Sequence, residues 1–248
     1  MHRFFVNQDQ PATITGSDAH QIKNVLRLKV GDELELLDGT GEVYTAKIAT
    51  IEKDKVSCEV LEHRAPLDSA RGKLNTELRT QVTLAQCLPK ARKMDLIIQK
   101  CTELGVAKII PTLSERAIAK GEKLPRWKKL AKEAAEQSGR ASIPEISPLT
   151  KFKDVLKLKD QYDLALIPWE LERETTLKKI LTTYLPAGKA GQPNHLLIII
   201  GPEGGFSRPE IELARQAGFQ SISLGKTILR TETAGLAIMA MLNYHFNQ

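Results

Sequence analysis

Two charged residues stand where this chain can do chemistry, each at the end of an apolar run. Glu203 is the only charge in the loop Gly201, Pro202, Glu203, Gly204, Gly205, Phe206, directly after the aliphatic run Leu196 to Ile200. Arg230 closes a second segment, in which Ile222, Ser223 and Leu224 run into Gly225, Lys226, Thr227, Ile228 and Leu229. A carboxylate in a glycine loop can accept a proton or face a cation. An arginine held near it presents a permanent charge and planar donors to a carbonyl or anionic oxygen. The plainer alternatives are a carboxylate that only accepts N–H groups of its own loop, and an arginine paired with Glu232.

The elements that must position these residues are legible around them. Five consecutive branched aliphatics bounded by a glycine predict a strand buried on both faces, as in a parallel sheet covered by helices. Such sheets place ligand loops at the carboxyl ends of their strands. Ser207 and Glu210 form an S-x-x-E capping box with Pro209 in the first turn, so a helix is expected from about Arg208 to Gly218. The segment Ile222 to Leu224 reads as a second strand. Thr231 is expected to cap a final helix whose positions Leu236, Ile238, Met239, Met241 and Leu242 are buried.

Earlier in the chain, a strand at Val82 to Gln86 leads through Pro89 and the cluster Lys90, Arg92, Lys93 into a helix. Its inward face is read as Leu96, Ile97, Cys101 and Leu104, and Gly105 ends it. A strand at 106–110, helices near 125–138 and 152–158, and a strand at Tyr162 to Ile167 follow. This alternation predicts an α/β fold with a mainly parallel sheet. The first sixty residues differ. After Phe4, Phe5 and Val6, Ser17 is placed as the cap of a short helix carrying Ile22, Val25 and Leu26. Turn signals then separate strands near 33–37, 42–51 and 55–62, the pattern of a compact β-barrel. A linker from Arg64 to about Arg79 sets two domains, 1–70 and 71–248, and a flexible connection is expected at 186–193.

Charge divides along the same line. Residues 1–70 hold 8 Lys/Arg against 12 Asp/Glu, whereas residues 86–132 hold 12 against 4, a field that attracts polyanions. Lys90 and Lys93 are the candidates for contact with an RNA backbone. Arg3 and Arg27 are local candidates in the acidic first domain, where Phe4 and Phe5 read more strongly as core than as a stacking platform. No apolar stretch approaches the ~20 residues of a membrane span and no signal peptide is seen, so a cytoplasmic location is expected. The three cysteines and five histidines lack ligand spacing, and no metal is expected. Gly225, Lys226 and Thr227 spell the end of a phosphate-binding P-loop, but the glycine required five positions earlier is Gln220.

The strings Ile200 to Ser207 (IGPEGGFS) and Leu224 to Ala234 (LGKTILRTETA) closely resemble the SPOUT superfamily and, within it, the bacterial 16S ribosomal RNA (uracil-N3)-methyltransferases. The resemblance implies a small N-terminal PUA-like β-barrel and a C-terminal domain threaded into a trefoil knot, an exception to unknotted connections. It implies an S-adenosylmethionine site at Ile167, Ile200, Gly201, Gly205, Leu224, Gly225, Ile228 and Leu229. It further implies methyl transfer to a uridine of 16S ribosomal RNA in the small ribosomal subunit, with Arg230 and Glu203 as catalytic residues, and a homodimer. Thr227 departs from the family's usual arginine. A SPOUT enzyme acting on a ribose 2′-hydroxyl or another base, and an RNA-binding protein without activity, stay open beside this reading.

Overall fold

The computed structural model describes residues 1–7, 9–64, 80–117, 121–183 and 193–246. The expected boundary at 70/71 and the connection at 186–192 lie outside them. The chain divides into two compact units, and the first of these takes in residues 135–143 besides the N-terminal segment.

In the first unit, β1 (His2–Phe5), β2 (Thr13–Thr15), α1 (Gly16–His20), β3 (Glu33–Leu37), β4 (Val43–Ile51) and β5 (Lys55–Arg64) build one sheet in the order β1-β3-β4-β5-β2. β1 runs parallel to β3 and the other pairs are antiparallel. Two register shifts between β4 and β5, at Thr45/Ala46 and Ile48/Thr50, add twist and curl the sheet. Alternation along the strands turns Leu34, Leu36, Ala46, Ile48 and Val56 onto one core with Phe4, Ile14 and Ile22. Phe5 packs instead with Leu37 and Ala135. Both phenylalanines are therefore core and neither offers a face to a base.

The short helix departs from its expected form. Thr15, in extended conformation, precedes it and makes no side-chain cap, and Ser17 lies inside it. It then widens into a π-helical turn, Gln21–Leu26, closed by Arg27 at φ 55°. The extra residue per turn rotates Val25 outward, where it is 67% exposed.

The second unit carries β6 (Gln81–Cys87), α2 (Lys93–Glu103), β7 (Lys108–Leu113), α3 (Leu124–Ser138), β8 (Glu145–Ile146), β9 (Thr150–Lys151), α4 (Phe152–Leu156), β10 (Leu164–Pro168), α5 (Leu177–Thr183), β11 (His195–Ile200), α6 (Arg208–Gln216), β12 (Gln220–Ile222) and α7 (Thr231–Phe246). The last turn of α3 belongs to the first unit. The sheet runs β12-β10-β11-β6-β7-β8, with β9 also on β7, and every pair is parallel. Leu196 to Ile200 are all buried at its centre, each aliphatic side chain contributing about 1.5–3 kcal/mol. The chain moves outward from β6 to β8, then returns on the other side of β6 for β10 to β12. That reversal opens a crevice beyond the carboxyl ends of β10, β11 and β12.

Three local expectations are corrected here. α2 begins at Lys93, and its buried face is Met94, Ile97, Ile98, Cys101 and Thr102, leaving Leu96 exposed. β12 stops at Ile222, because its partner β10 ends opposite it at Pro168; Ser223 pairs with the 175–176 segment. In α7, Ile238, Met239 and Leu242 are buried, but Leu236 is only partly covered and Met241 is exposed.

Candidate active site

Beyond those strand ends lies a cavity of about 470 Å³, within the ~300–1,000 Å³ typical of small-molecule sites. Three stretches of backbone make its walls: 168–170 after β10, 200–206 after β11 and 223–231 before α7. More of its lining is apolar than polar. The charged groups on it are Lys93, Glu170, Arg173, Glu203, Lys226 and Arg230.

The glycine loop is held from both ends. Ser207 accepts from the Glu210 amide, and the Glu210 carboxylate accepts in return from the Ser207 amide at 2.9 Å, completing the capping box at the start of α6. The loop after β7 reaches over as well. Ser207 donates to Glu115 Oε2 at 2.7 Å, the Glu115 amide donates to Glu210 Oε1, and Arg116 Nη1 donates to the Gly204 carbonyl at 2.9 Å. Gly205 sits at φ 65°, and a Cβ there would lie 2.9 Å from Glu170 Oε1. Only glycine serves both the left-handed backbone and the close approach of that carboxylate.

The 169–175 loop is pinned by Glu172. Its Oε1 accepts from the amides of Arg173, Glu174 and Thr175, and its Oε2 accepts from Ser221 at 2.6 Å. The Ser221 hydroxyl, with these amides, holds the Glu172 carboxyl below its ordinary value despite partial burial. Arg215 bonds Ser221 and lies over Trp169, 5.5 Å from the ring centroid.

Glu203 is not free. It accepts from the Lys90 amide and from Lys93 Nζ, both at 3.0 Å. Partial desolvation pushes its pKa up, but the Lys93 ammonium, its own amide and that of Lys90 outweigh this and the net shift is downward. Lys93 also meets Glu232 at 3.2 Å, and the two carboxylates raise the lysine's pKa, its hydrogen bond to Glu203 foremost. Glu232 is thus paired with Lys93, and the plainer alternative of a Glu232–Arg230 pair is not what forms. Arg230, exposed on the cavity wall, has no ion-pair partner among the described residues.

Thr231 is not a helix cap. Its hydroxyl donates to the Gly201 carbonyl at 2.5 Å and accepts from Gln86 Nε2 at 2.9 Å, because Arg230 takes the position before the helix.

Of the residues assigned to a cofactor from sequence, Ile200, Gly201, Gly205, Leu224, Gly225, Ile228 and Leu229 line the cavity together with Glu203 and Arg230. Ile167 does not; it is fully buried in the core beneath, one residue short of the wall. Lys93, assigned to RNA, lines the cavity, whereas Lys90 and Arg27 are exposed outside it. Arg3 is engaged by Glu35 and by the Gly139 carbonyl. The sequence reading missed Trp169, Glu170 and Arg173 as lining groups, although their place directly after a buried strand marks them out. Cys58, Cys87 and Cys101 are free and buried; burial pushes their thiols up to about 11, 12 and 12, which makes them poor nucleophiles.

A wall of this kind suits a nucleoside-bearing cofactor. More of the lining is apolar than polar, and Gly225, at φ 134°, has nothing within 4 Å of where a Cβ would point, so a ligand can approach the backbone. Known proteins agree with that geometry. Residues 76–243 match a family model described as an RNA methyltransferase domain, and residues 14–61 one described as an RNA methyltransferase PUA domain. The chain is 34% identical to the ribosomal RNA small subunit methyltransferase E of Bacillus subtilis (strain 168), covering 98% of this chain and 96% of that one. It is 37% identical to the Synechocystis protein of the same name, covering 93% and 72%. The crystal structure of the Neisseria gonorrhoeae ribosomal RNA small subunit methyltransferase E, bound to S-adenosyl methionine, superposes with a TM-score of 0.80 at 31% identity, covering 98% and 97%. With relatedness running through both units and the cavity lying where the sheet reverses, the chain belongs to the ribosomal RNA small subunit methyltransferase E family.

Proposed function

We propose that this chain transfers the methyl group of S-adenosylmethionine to N3 of a uridine in the 16S ribosomal RNA of the small ribosomal subunit. The observation that carries the reading is Arg230, without an ion-pair partner among the described residues, on the wall of a largely apolar cavity that also presents Glu203. When bound, S-adenosylmethionine supplies a methyl group on a sulfonium, already activated for displacement. The main chain at 200–205 and 224–229 would hold it. The chain's own task is the acceptor: uracil N3 carries a proton at neutral pH and is a weak nucleophile until that proton leaves.

Arg230 answers this by donating to a uracil carbonyl oxygen, where negative charge grows as the proton departs. Glu203, kept ionised by Lys93, receives the proton directly or through water, and its lowered pKa makes it a weak base. Arg230 therefore carries the larger share of activation. Because N3 lies on the pairing edge, the base must enter unpaired or extruded. Lys90 and Arg92, both exposed, and Arg27 are assigned to the RNA backbone.

A homodimer belongs to the same reading. α2 and α7 pack together and leave Leu96, Met241 and Tyr244 exposed, the last 74% exposed, apolar surface that a second copy would cover. So do the trefoil knot through 223–231 and action in the cytoplasm, where the substrate is made. Among the described residues no helix is long and apolar enough to cross a membrane.

The test is methyl transfer to unmodified small subunits by the wild-type chain and by Arg230→Ala, with mass-spectrometric analysis of the nucleosides. N3-methyluridine that disappears with the variant is the expected result. Label on ribose would refute the target atom, and no label would refute the activity.

A further inference from the structure

Two of the cavity's walls, the glycine loop 201–206 and the segment that ends in α7, are separated by some thirty positions in sequence and share no strand pairing. Two sets of polar contacts tie them together. At the floor, Gln86, wholly buried at the end of β6, donates to Thr231, and Thr231 donates to the Gly201 carbonyl. At the rim, Lys93 from the first turn of α2 bridges Glu203 of the loop and Glu232 of α7 at 3.0 and 3.2 Å. Both bridges end on consecutive residues of α7's first turn and on residues two apart in the loop.

We propose that Thr231 and Lys93 are positioning residues: two polar latches, Gln86–Thr231–Gly201 and Glu232–Lys93–Glu203, lock the glycine loop to the first turn of α7 and fix the width of the cofactor cavity. The assignment rests on the cofactor reading given above, and it removes Lys93 from the RNA-contacting set.

The floor latch is tightly built. Thr231 is 5% exposed, and its hydroxyl uses both its donor and an acceptor position. Gln86 Oε1 finds no partner among the described residues and lies 3.2 Å from where a Cβ on Gly235 would be, so the glycine in the second turn of α7 makes room for the glutamine. The amide nitrogen of the same side chain donates both to Thr231 and to the Cys87 carbonyl, which fixes the donor that faces α7. At the rim, the single ammonium separates two carboxylates that would otherwise repel, so the bridge also keeps the loop from swinging away from the helix.

The test uses the full chain. Thr231→Val keeps the volume and removes both bonds; Thr231→Ser keeps the hydroxyl. By titration calorimetry, Thr231→Val is expected to bind S-adenosylmethionine about tenfold more weakly, in keeping with stranding buried polar groups, and Thr231→Ser within about threefold of wild type. Lys93→Met, on a partly exposed side chain, tests the rim, with Lys93→Arg as the control that keeps a positive charge between the two carboxylates. Amide exchange in peptides covering 201–206 and 231–236 is expected to quicken in both Thr231→Val and Lys93→Met, with 108–113 unchanged. Lys93→Arg is expected to restore wild-type exchange.

Unchanged exchange at 201–206 in Lys93→Met overturns the rim latch. Wild-type affinity in Thr231→Val, or a Thr231→Ser variant as weak as Thr231→Val, overturns the floor latch. A wild-type chain that takes up no S-adenosylmethionine refutes the cofactor reading instead, and the exchange data still judge the latches.

Discussion

Replacing Arg230 by alanine isolates the step on which the mechanism depends. Most surface arginines near an active site have a carboxylate partner, and deleting them strands that partner, which confuses structure with catalysis. Arg230 has none among the described residues, because Lys93 already occupies Glu232. Its loss should leave thermal unfolding within about 0.5 kcal/mol of wild type, the usual range for an exposed change. What disappears is a charge-assisted donor aimed at developing negative charge, a contribution of ~10²–10³ in rate, or about 2.7–4 kcal/mol. Arg230→Lys separates the two halves of that contribution: it keeps the charge and loses the planar fork, so it should fall between, roughly tenfold below wild type. The assay is single-turnover methyl transfer to unmodified small subunits at saturating cofactor, with cofactor affinity measured separately. A rate for Arg230→Ala within threefold of wild type refutes the assignment. So does a loss seen only in cofactor affinity.

Three further outcomes follow from the same structure. Ser207→Ala removes the cap of α6 and the donor to Glu115, and should cost about 1–2 kcal/mol, lowering the midpoint of thermal unfolding by roughly 2–8 °C. Alanine at both Lys90 and Arg92 should weaken RNA binding, with the dependence of log K on log salt less steep by about 1–2 in slope, while cofactor affinity stays unchanged. Glu172, whose native pKa lies below its unfolded value, contributes stability that is present above about pH 4.3 and is lost as pH falls through the lowered native value. Glu172→Gln should therefore be less stable than wild type near neutrality, and the gap measured by chemical unfolding should close as the solution is acidified below that range.

The fold was legible where the chain's local signals and its burial agree. The run Leu196 to Ile200 has no polar face to offer water, and its shortness, branched side chains and closing glycine favour a doubly covered parallel strand, which β11 is. The capping box at Ser207 and Glu210 is a contact between residues three apart, and it forms as read. Where a residue's fate depended on distant chain, local signals misled. A threonine before a helical run reads as a cap, but Thr231 has the Gly201 carbonyl and Gln86 within reach, thirty and 145 positions away in sequence. Leu96 and Met241 read as core by spacing and are exposed on α2 and α7. Val25 turned outward because a π turn altered the period on which the inward reading rested.

Charge shows the same limit in a sharper form. Sequence sees Lys93 and Arg230 as two cations near one motif, and the basic count in 86–132 favours giving the first to RNA. In the folded chain the lysine lies between two carboxylates that more than offset the charge it would offer a phosphate, while the arginine, two residues from one of those same carboxylates, lines the cavity with no ion-pair partner among the described residues. Each assignment depends on the other: were Lys93 absent, Glu232 would be the natural partner for Arg230 and would hold its guanidinium away from an incoming base. On this view the lysine on α2 keeps the arginine before α7 available, so Lys93→Met should carry a loss of rate beyond any loss of cofactor binding. Removing Glu232 as well, in Lys93→Met/Glu232→Gln, should return part of that rate. A double variant no faster than Lys93→Met would show that Arg230 stays free for some other reason.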